Sequence, residues 1–371
     1  MKIKLFLGAL LFLTVNCFGQ QNNTHNLVII SLDGYRWQEV FQGADSSLLF
    51  NDKFYKQNPV SQANKYWAPS VEQRRKKLMP FFWSTIASRE QLYGNRNYDN
   101  QVNVRNKYHF SYPGRSEILC GYYDPKIKSN HYPDNPNENV LEFINQQAGF
   151  NGKVVTFASW DAVSRIISRN RNKMLVNIPG EKVESDTLSD LQVLSNELQQ
   201  YAPQDFGEGI RSDLHTFALA KSYVKANHPK VIHLDFADPD NYGHAGRYDA
   251  YLDAGHRLDA MIESLYTMMQ QDDFYRDNTT FLIYTDHGRG AKSNWTSHGF
   301  FALRSGETWL AAIGPDTPSQ GEILIHSPSL SLLLNKLPHH KRQRILLYQL
   351  FAGTPCKYPE QRLLFQIHFF L

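Results

Sequence analysis

Three short apolar runs, Leu27–Leu32, Val231–Phe236 and Phe281–Thr285, stand out along the chain. Runs of this length and composition, bounded by polar residues, predict strands. Each leads into metal-ligand residue types: the first reaches Asp33, the second Asp240 and His244, the third Asp286 and His287. Between them the apolar period lengthens to that of helices. Ser70–Glu90 carries an apolar stripe of Leu78, Phe81, Phe82 and Ile86, with Pro80 set against an unbroken helix. Asn139–Gln147 predicts a helix closed by Gly149, followed by a strand over Lys153–Ala158. Ser212–Ala226 and Tyr248–Gln270 are the clearest helices; the second, with Leu252, Leu258, Met261 and Leu265, is read as an amphipathic helix packed on a sheet. This alternation predicts an α/β chain, a central mostly parallel sheet flanked by helices on both faces. Such sheets gather their chemistry at the carboxyl ends of the strands, so the three acid-bearing endings are expected to share one crevice.

Composition adds limits. The 371 residues are 42% hydrophobic and 13% aromatic, enough for a large core, and a net charge of +3 implies no polyanion-binding surface. With no basic stripe and no nucleic-acid-binding module, that function class drops out. Lys2 and Lys4, the apolar Leu5–Val15 and the small Gly19 make residues 1–20 a signal peptide, so the protein is expected to be secreted or periplasmic. The apolar run is shorter than the ~20 residues that span a bilayer, and no other segment qualifies after the signal is removed. A lipoprotein anchored at Cys17 ranks second, because Thr14-Val15-Asn16 is a poor small-residue context. Only Cys120 and Cys356 then remain; nothing in the sequence says that they pair. Residues 21–322 form the expected catalytic domain. From about Ile323 a leucine-rich segment to residue 371 holds Lys336, Lys341, Arg342, Arg344, Lys357 and Arg362 against the single acid Glu360, and no function is assigned to it. The sequence leaves the oligomeric state open.

The candidate chemistry lies in the acids and histidines. Asp240 and His244 have the spacing that puts two ligands on one helix face, but Pro239 and Gly243 argue for a loop. Asp286 and His287 are adjacent, so both can face one ion only where the chain turns, which Gly288 permits. His298, in Ser297-His298-Gly299, completes three carboxylates and three imidazoles, a donor set suited to two zinc ions, with manganese or cobalt as alternatives. Taken singly, each residue reads as an ordinary cap, turn or hydrogen-bonded histidine; the combination points to metal. Ser111, just before Pro113 and opening a short helix closed by Gly121, is the candidate nucleophile, read otherwise as an N-cap. Arg115 is either a bidentate clamp for phosphate or a surface helix residue. The aromatic segment Phe41–Trp67 and the loops near Trp160 and Trp295 are either pocket walls or core.

In order along the chain, Ser31-Leu32-Asp33-Gly34-Tyr35-Arg36, Ser111–Gly121, Asp240-x-x-x-His244, Thr285-Asp286-His287-Gly288 and Ser297-His298-Gly299 resemble the alkaline phosphatase superfamily, above all its nucleotide pyrophosphatase/phosphodiesterase branch. The likeness spans about residues 26–316. It implies an alkaline-phosphatase-like fold and a zinc-dependent hydrolase of small-molecule phosphate mono- or diesters. It further implies that Asp33, Asp286 and His287 hold the ion that activates Ser111, that Asp240, His244 and His298 hold a second, and that Ser111 forms a phosphoserine. The chain departs from the branch, which carries Thr at the nucleophile and Asn three residues on; here these are Ser111 and Gly114. Oxyanion support is then left to backbone N–H groups, Arg115 or another side chain.

The same segment is similar to a sulfatase motif. Ser111-x-Pro113-x-Arg115, followed by Leu119-Cys120-Gly121, matches the pattern in which Cys or Ser becomes formylglycine, in enzymes that bind calcium. Sulfatases carry paired acids after the first strand, whereas Gly34 follows Asp33 here, and imidazoles suit zinc better than calcium. A sulfatase therefore ranks second. An inactive secreted metal-binding protein ranks third, resting on Gly114 and the basic tail.

Overall fold

A computed structural model describes residues 23–323 apart from residues 55, 57, 58, 90, 185–187, 204 and 318. The expected signal peptide (residues 1–20), Cys17, Cys356 and the basic segment beyond residue 323 lie outside the described residues. Ten strands form: β1 (Asn26–Leu32), β2 (Gln91–Tyr93), β3 (Val102–Asn103), β4 (Val154–Ala158), β5 (Leu175–Asn177), β6 (Val231–Phe236), β7 (Thr279–Tyr284), β8 (Glu307–Thr308), β9 (Leu310–Ile313) and β10 (Gly321–Glu322). Eight make one sheet in the order β10-β2-β9-β7-β1-β6-β4-β5, and β3 pairs with β8 apart from it. Within the large sheet every strand except β9 runs the same way. The α/β reading, with its mostly parallel sheet, therefore holds.

Alternate residues of the central strands enter two different cores. Val28, Ile30, Leu32, Ile232, Leu234 and Phe281 pack on one face, while Leu27, Ile29, Val154, Val231 and Tyr284 pack on the other. A sheet buried on both faces needs continuous apolar strands, which is why the three runs lack polar alternation. Register then aligns their ends. Ser31 lies opposite both Asp235 and Tyr284, so Asp33, Asp235 and Asp286 all fall within a residue or two of one level.

Several helix boundaries follow their predicted caps. Tyr248–Gln270 is helical as read, and Asp213–Asn227 begins after the capping Ser212. Asn139 caps Val140–Asn145. The stretch from Ser70 to Glu90 is instead broken, into Val71–Leu78, a π-helical turn Phe82–Ile86, and Ala87–Arg89. Pro80 sits in the break and lacks the N–H a continuous helix would use. The loop reading of Asp240 and His244 also fails. They lie on a helix, Asp238–His244, with Pro239 in its first turn. Proline there has no N–H to lose and a backbone already helical. The Asp213 carboxylate accepts from the N–H groups of Ala237 (2.8 Å) and Asp238 (3.0 Å), capping that helix from a neighbouring element. Among the described residues no helix is long and apolar enough to cross a membrane.

Candidate metal centre

Asp33 leaves β1 and Asp286 leaves β7, and both carboxylates are buried. His287 lies beside them, its Nε2 3.2 Å from Asp33 Oδ1 and 3.7 Å from Asp286 Oδ2. These three residues form one group with metal-ligand spacing. A second group lies alongside. Helix Asp238–His244 turns Asp240 and His244 to one side, with His244 Nε2 3.0 Å from Asp240 Oδ2. His298 Nε2 is 3.0 Å from His244 Nε2 and 3.7 Å from Asp240 Oδ2. Asp240 and His298 also reach His287 within ligand spacing, so His287 borders both groups. Its ring stacks on His298 with centroids 3.9 Å apart. All six acids and imidazoles singled out in the sequence are thus gathered together, His244 on the exposed side and the rest sunk beneath it.

The histidines are set for ligation. His287 Nδ1 lies 2.8 Å from the Gly288 carbonyl and His298 Nδ1 lies 2.8 Å from the His109 carbonyl. A carbonyl only accepts, so each Nδ1 carries the proton and each Nε2 faces the acids. Burial, together with the neighbouring His287, pushes His298 down to about 3, so it stays neutral at pH 7. Burial alone would push His287 down too, but Asp286 and Asp33 outweigh it and hold it up at about 9. That proton sits where a metal ion would bind. The buried Asp33 Oδ1 faces His287 Nε2 at 3.2 Å. Two carboxylates and an imidazole nitrogen converging at ligand spacing suit a divalent cation, and the donor set fits zinc.

Ser111 is brought to this place. Its Oγ is 3.2 Å from His287 Nε2. It occupies the first position of the helix Ser111–Cys120, after Phe110, and is therefore not the N-cap of the alternative reading. The helix closes at Gly121 in the left-handed conformation, as expected. Gly114 has a steric role: a Cβ there would stand 2.4 Å from the Asp286 carbonyl oxygen. Gly34 is similar, since its Cβ would fall 2.4 Å from Asp240 Oδ1, and its φ of +58° also suits glycine. Gly288 works differently from the expected turn. Its φ is not positive; a Cβ there would meet the Glu307 carbonyl at 2.5 Å.

Arg115 meets neither sequence reading. Its guanidinium is wholly buried, donating to Asp235 from Nε (2.7 Å) and Nη2 (2.9 Å), to Asp33 (2.9 Å) and to Asp286. It is a buried strut among carboxylates. Burial would lower it, yet Asp235, Asp286 and Asp33 keep it firmly charged. One guanidinium among three carboxylates leaves negative charge for a divalent ion to neutralise. Sequence reasoning missed Asp235, although an acid inside the apolar run VIHLDF was a visible signal. It also missed Arg289, which donates to Asp240 and, through Nε, to the Trp295 carbonyl at 2.7 Å. Gly243 makes room for it, since a Cβ there would lie 2.5 Å from the guanidinium carbon. Trp295 is core, packed against Tyr248, Tyr251 and Phe54. Trp160 is half-buried, 5.7 Å from Arg115. Cys120, free and half-buried, lies at the far end of the Ser111 helix.

The comparisons agree with this architecture. The model of the Metalloenzyme superfamily matches residues 137–300. A protein from Bacteroides thetaiotaomicron proposed to be a sulfatase is 13% identical with a TM-score of 0.53, the match covering 91% of this chain and 73% of that one. An alkaline phosphatase superfamily protein from Vibrio parahaemolyticus is 11% identical (TM-score 0.48; 82% of this chain, 63% of that one). Murine ectonucleotide pyrophosphatase/phosphodiesterase 5 is 16% identical (TM-score 0.41; 72% and 58%). The chain thus spans less than two thirds of the Vibrio and murine proteins. No curated protein matches in sequence. At such identities the likeness is one of fold. The family match covers less than half of the chain, the Bacteroides structure shares its fold, and the ordered motifs resemble those of the alkaline phosphatase superfamily.

Proposed function

We propose that this chain is an exported, two-zinc phosphoesterase with Ser111 as its nucleophile. The observation that carries the reading is the 3.2 Å approach of Ser111 Oγ to His287 Nε2, the one imidazole bordering both ligand groups. Asp33, Asp286 and His287 would hold one ion, and Asp240, His244 and His298 the other. Bound there, divalent cations lower the pKa of a hydroxyl and offset charge on phosphoryl oxygens.

The chain's own residues do the rest. Ser111 Oγ attacks phosphorus, forming a serine–phosphate bond as the ester P–O bond breaks and the alcohol departs with a proton. Water then cleaves the phosphoserine and restores the hydroxyl. Arg115 holds Asp33 and Asp286 in place from behind, and Arg289 does the same for Asp240. Gly114 keeps the first helical turn close to the Asp286 backbone, so Ser111 is positioned by packing. A second reading, a sulfatase, is supported by the arrangement Ser111-x-Pro113-x-Arg115.

One experiment separates the readings. Hydrolysis of aryl phosphate, bis-aryl phosphate and aryl sulfate is measured with and without zinc, for the wild type and Ser111→Ala. Zinc-dependent cleavage of a phosphate ester, lost in Ser111→Ala while metal content is kept, is the expected result. Undiminished hydrolysis by Ser111→Ala would remove the nucleophile. Cleavage of aryl sulfate alone, with formylglycine at position 111 by peptide mass, would favour the sulfatase.

A further inference from the structure

The turn that follows His298 exposes large apolar side chains at the edge of the metal centre. Phe301 is 91% exposed, Leu303 81% and Phe300 55%, whereas Ala302 and Ser305 between and beyond them are buried. The two phenyl rings meet edge to face at 5.0 Å. Exposing three such groups in succession is unfavourable in water, and single scattered apolar residues do not account for it.

The turn is tied at both ends. The Ala302 N–H donates to the Gly299 carbonyl at 2.9 Å, and the Ser305 N–H to the Ala302 carbonyl at 3.1 Å. Ser305 Oγ lies 3.0 Å from the Gly299 carbonyl and 3.0 Å from His109 Nδ1. The Ser305 carbonyl accepts from the Gly288 N–H at 2.8 Å. His109 and Gly288 are the residues whose carbonyls orient His298 and His287. The apolar tip is therefore held outward by the same segments that set the metal ligands, close to Ser111.

Its flanks are cationic. Arg304 is on the turn itself and half exposed, its Nε 3.1 Å from Glu307 Oε1. Exposed Arg105 and Lys107 lie alongside, because Val104 N–H donates to the Gly306 carbonyl at 3.1 Å and Asn103 pairs with Glu307. An apolar tip rimmed by arginine and lysine complements a bilayer surface, where rings and leucine enter the acyl boundary and cations stay among anionic headgroups.

We propose that the turn Gly299–Ser305 is an interfacial anchor that seats the metal centre on an anionic phospholipid surface. Together with the phosphoesterase reading, on which this last step rests, it makes a membrane phospholipid headgroup the ester presented to Ser111.

The test is vesicle co-sedimentation of the full chain with phosphatidylcholine vesicles, with and without phosphatidylglycerol, alongside aryl phosphate hydrolysis. The wild type is expected to pellet with the anionic vesicles and less with the neutral ones. The double variant F301D/L303D is expected to lose about tenfold or more in vesicle affinity while hydrolysing soluble aryl phosphate as the wild type does. R105E/K107E should weaken anionic binding alone. A wild type that stays in the supernatant, or an F301D/L303D variant that pellets equally, overturns the anchor. So does a wild-type dimer in light scattering that F301D/L303D dissociates, since the tip would then cover a second copy. Because sedimentation is read without turnover, the anchor can fail while phosphate ester hydrolysis stands, and the reverse.

Discussion

Arg115 and Asp235 are joined by two hydrogen bonds, 2.7 and 2.9 Å long, and neither side chain reaches solvent. Asp235 lies on β6, whose register with β1 sets it opposite Ser31, two residues before Asp33. The guanidinium thus receives carboxylates from the ends of three parallel strands. Arg115→Met is expected to cost about 3–5 kcal/mol, because it leaves those carboxylates buried and uncompensated. Added zinc should recover part of the loss by supplying positive charge to Asp33 and Asp286. Urea unfolding with and without zinc checks this; equal stability of variant and wild type in both conditions would show that Arg115 is no strut.

His244 and His287 are expected to differ when removed. His244 is half exposed at the outer edge of one group, whereas His287 is fully buried and borders both. His244→Ala should lose one of two bound metal ions, while the metal-free chain changes in unfolding stability by no more than about 0.5 kcal/mol. His287→Ala should lose both ions. Metal content per chain, by mass spectrometry after dialysis against zinc, reads the difference. Two ions retained in His287→Ala would contradict the shared position.

Gly114 offers a steric prediction. A Cβ there stands 2.4 Å from the Asp286 carbonyl oxygen and must displace either the helix bearing Ser111 or the Asp286 turn. A shift of about 1 Å between nucleophile and ligands is worth on the order of 100-fold in rate. Gly114→Ala should lose kcat/KM of that order toward an aryl phosphate while remaining folded by circular dichroism. Unchanged kcat/KM would mean that the two backbones yield without moving the site.

These residues also show how far the sequence could be read. Asp33 and Asp286 were legible because an apolar strand ending in an acid has a fixed place in a parallel sheet. Asp240 and His244 were legible as members of the cluster, but their helix was not: its cap comes from Asp213, a residue 25 positions from Asp238 and invisible to local pattern. Arg115 and Arg289 were misjudged or missed for a related reason. A buried guanidinium is recognised by the carboxylates around it, and these arrive from distant strands. Gly243 read as a helix breaker because the side chain it admits, Arg289, is 46 residues away in the sequence. Trp295 was left between pocket and core until its neighbours Tyr248 and Tyr251 were known.

Asp259 carries a pH prediction that is separate from the metal centre. Its carboxylate accepts from the N–H groups of Phe81 and Phe82, both at 2.8 Å, the donors freed by the break at Pro80. Burial nevertheless lifts it from 3.8 to about 7, against the pull of those two bonds. A carboxyl with a raised folded pKa binds its proton more tightly when folded. The stability this gives is fully present below about pH 4 and is lost as pH rises toward about 7. Asp259→Asn cannot titrate there. The stability of the wild type relative to Asp259→Asn should therefore fall across this window, by at most roughly 4 kcal/mol for a shift of about three units, and level off above it. Urea midpoints from about pH 4 to pH 8 measure the trend. A difference that stays flat or rises with pH would mean that the two N–H bonds outweigh burial and that Asp259 is ionised throughout.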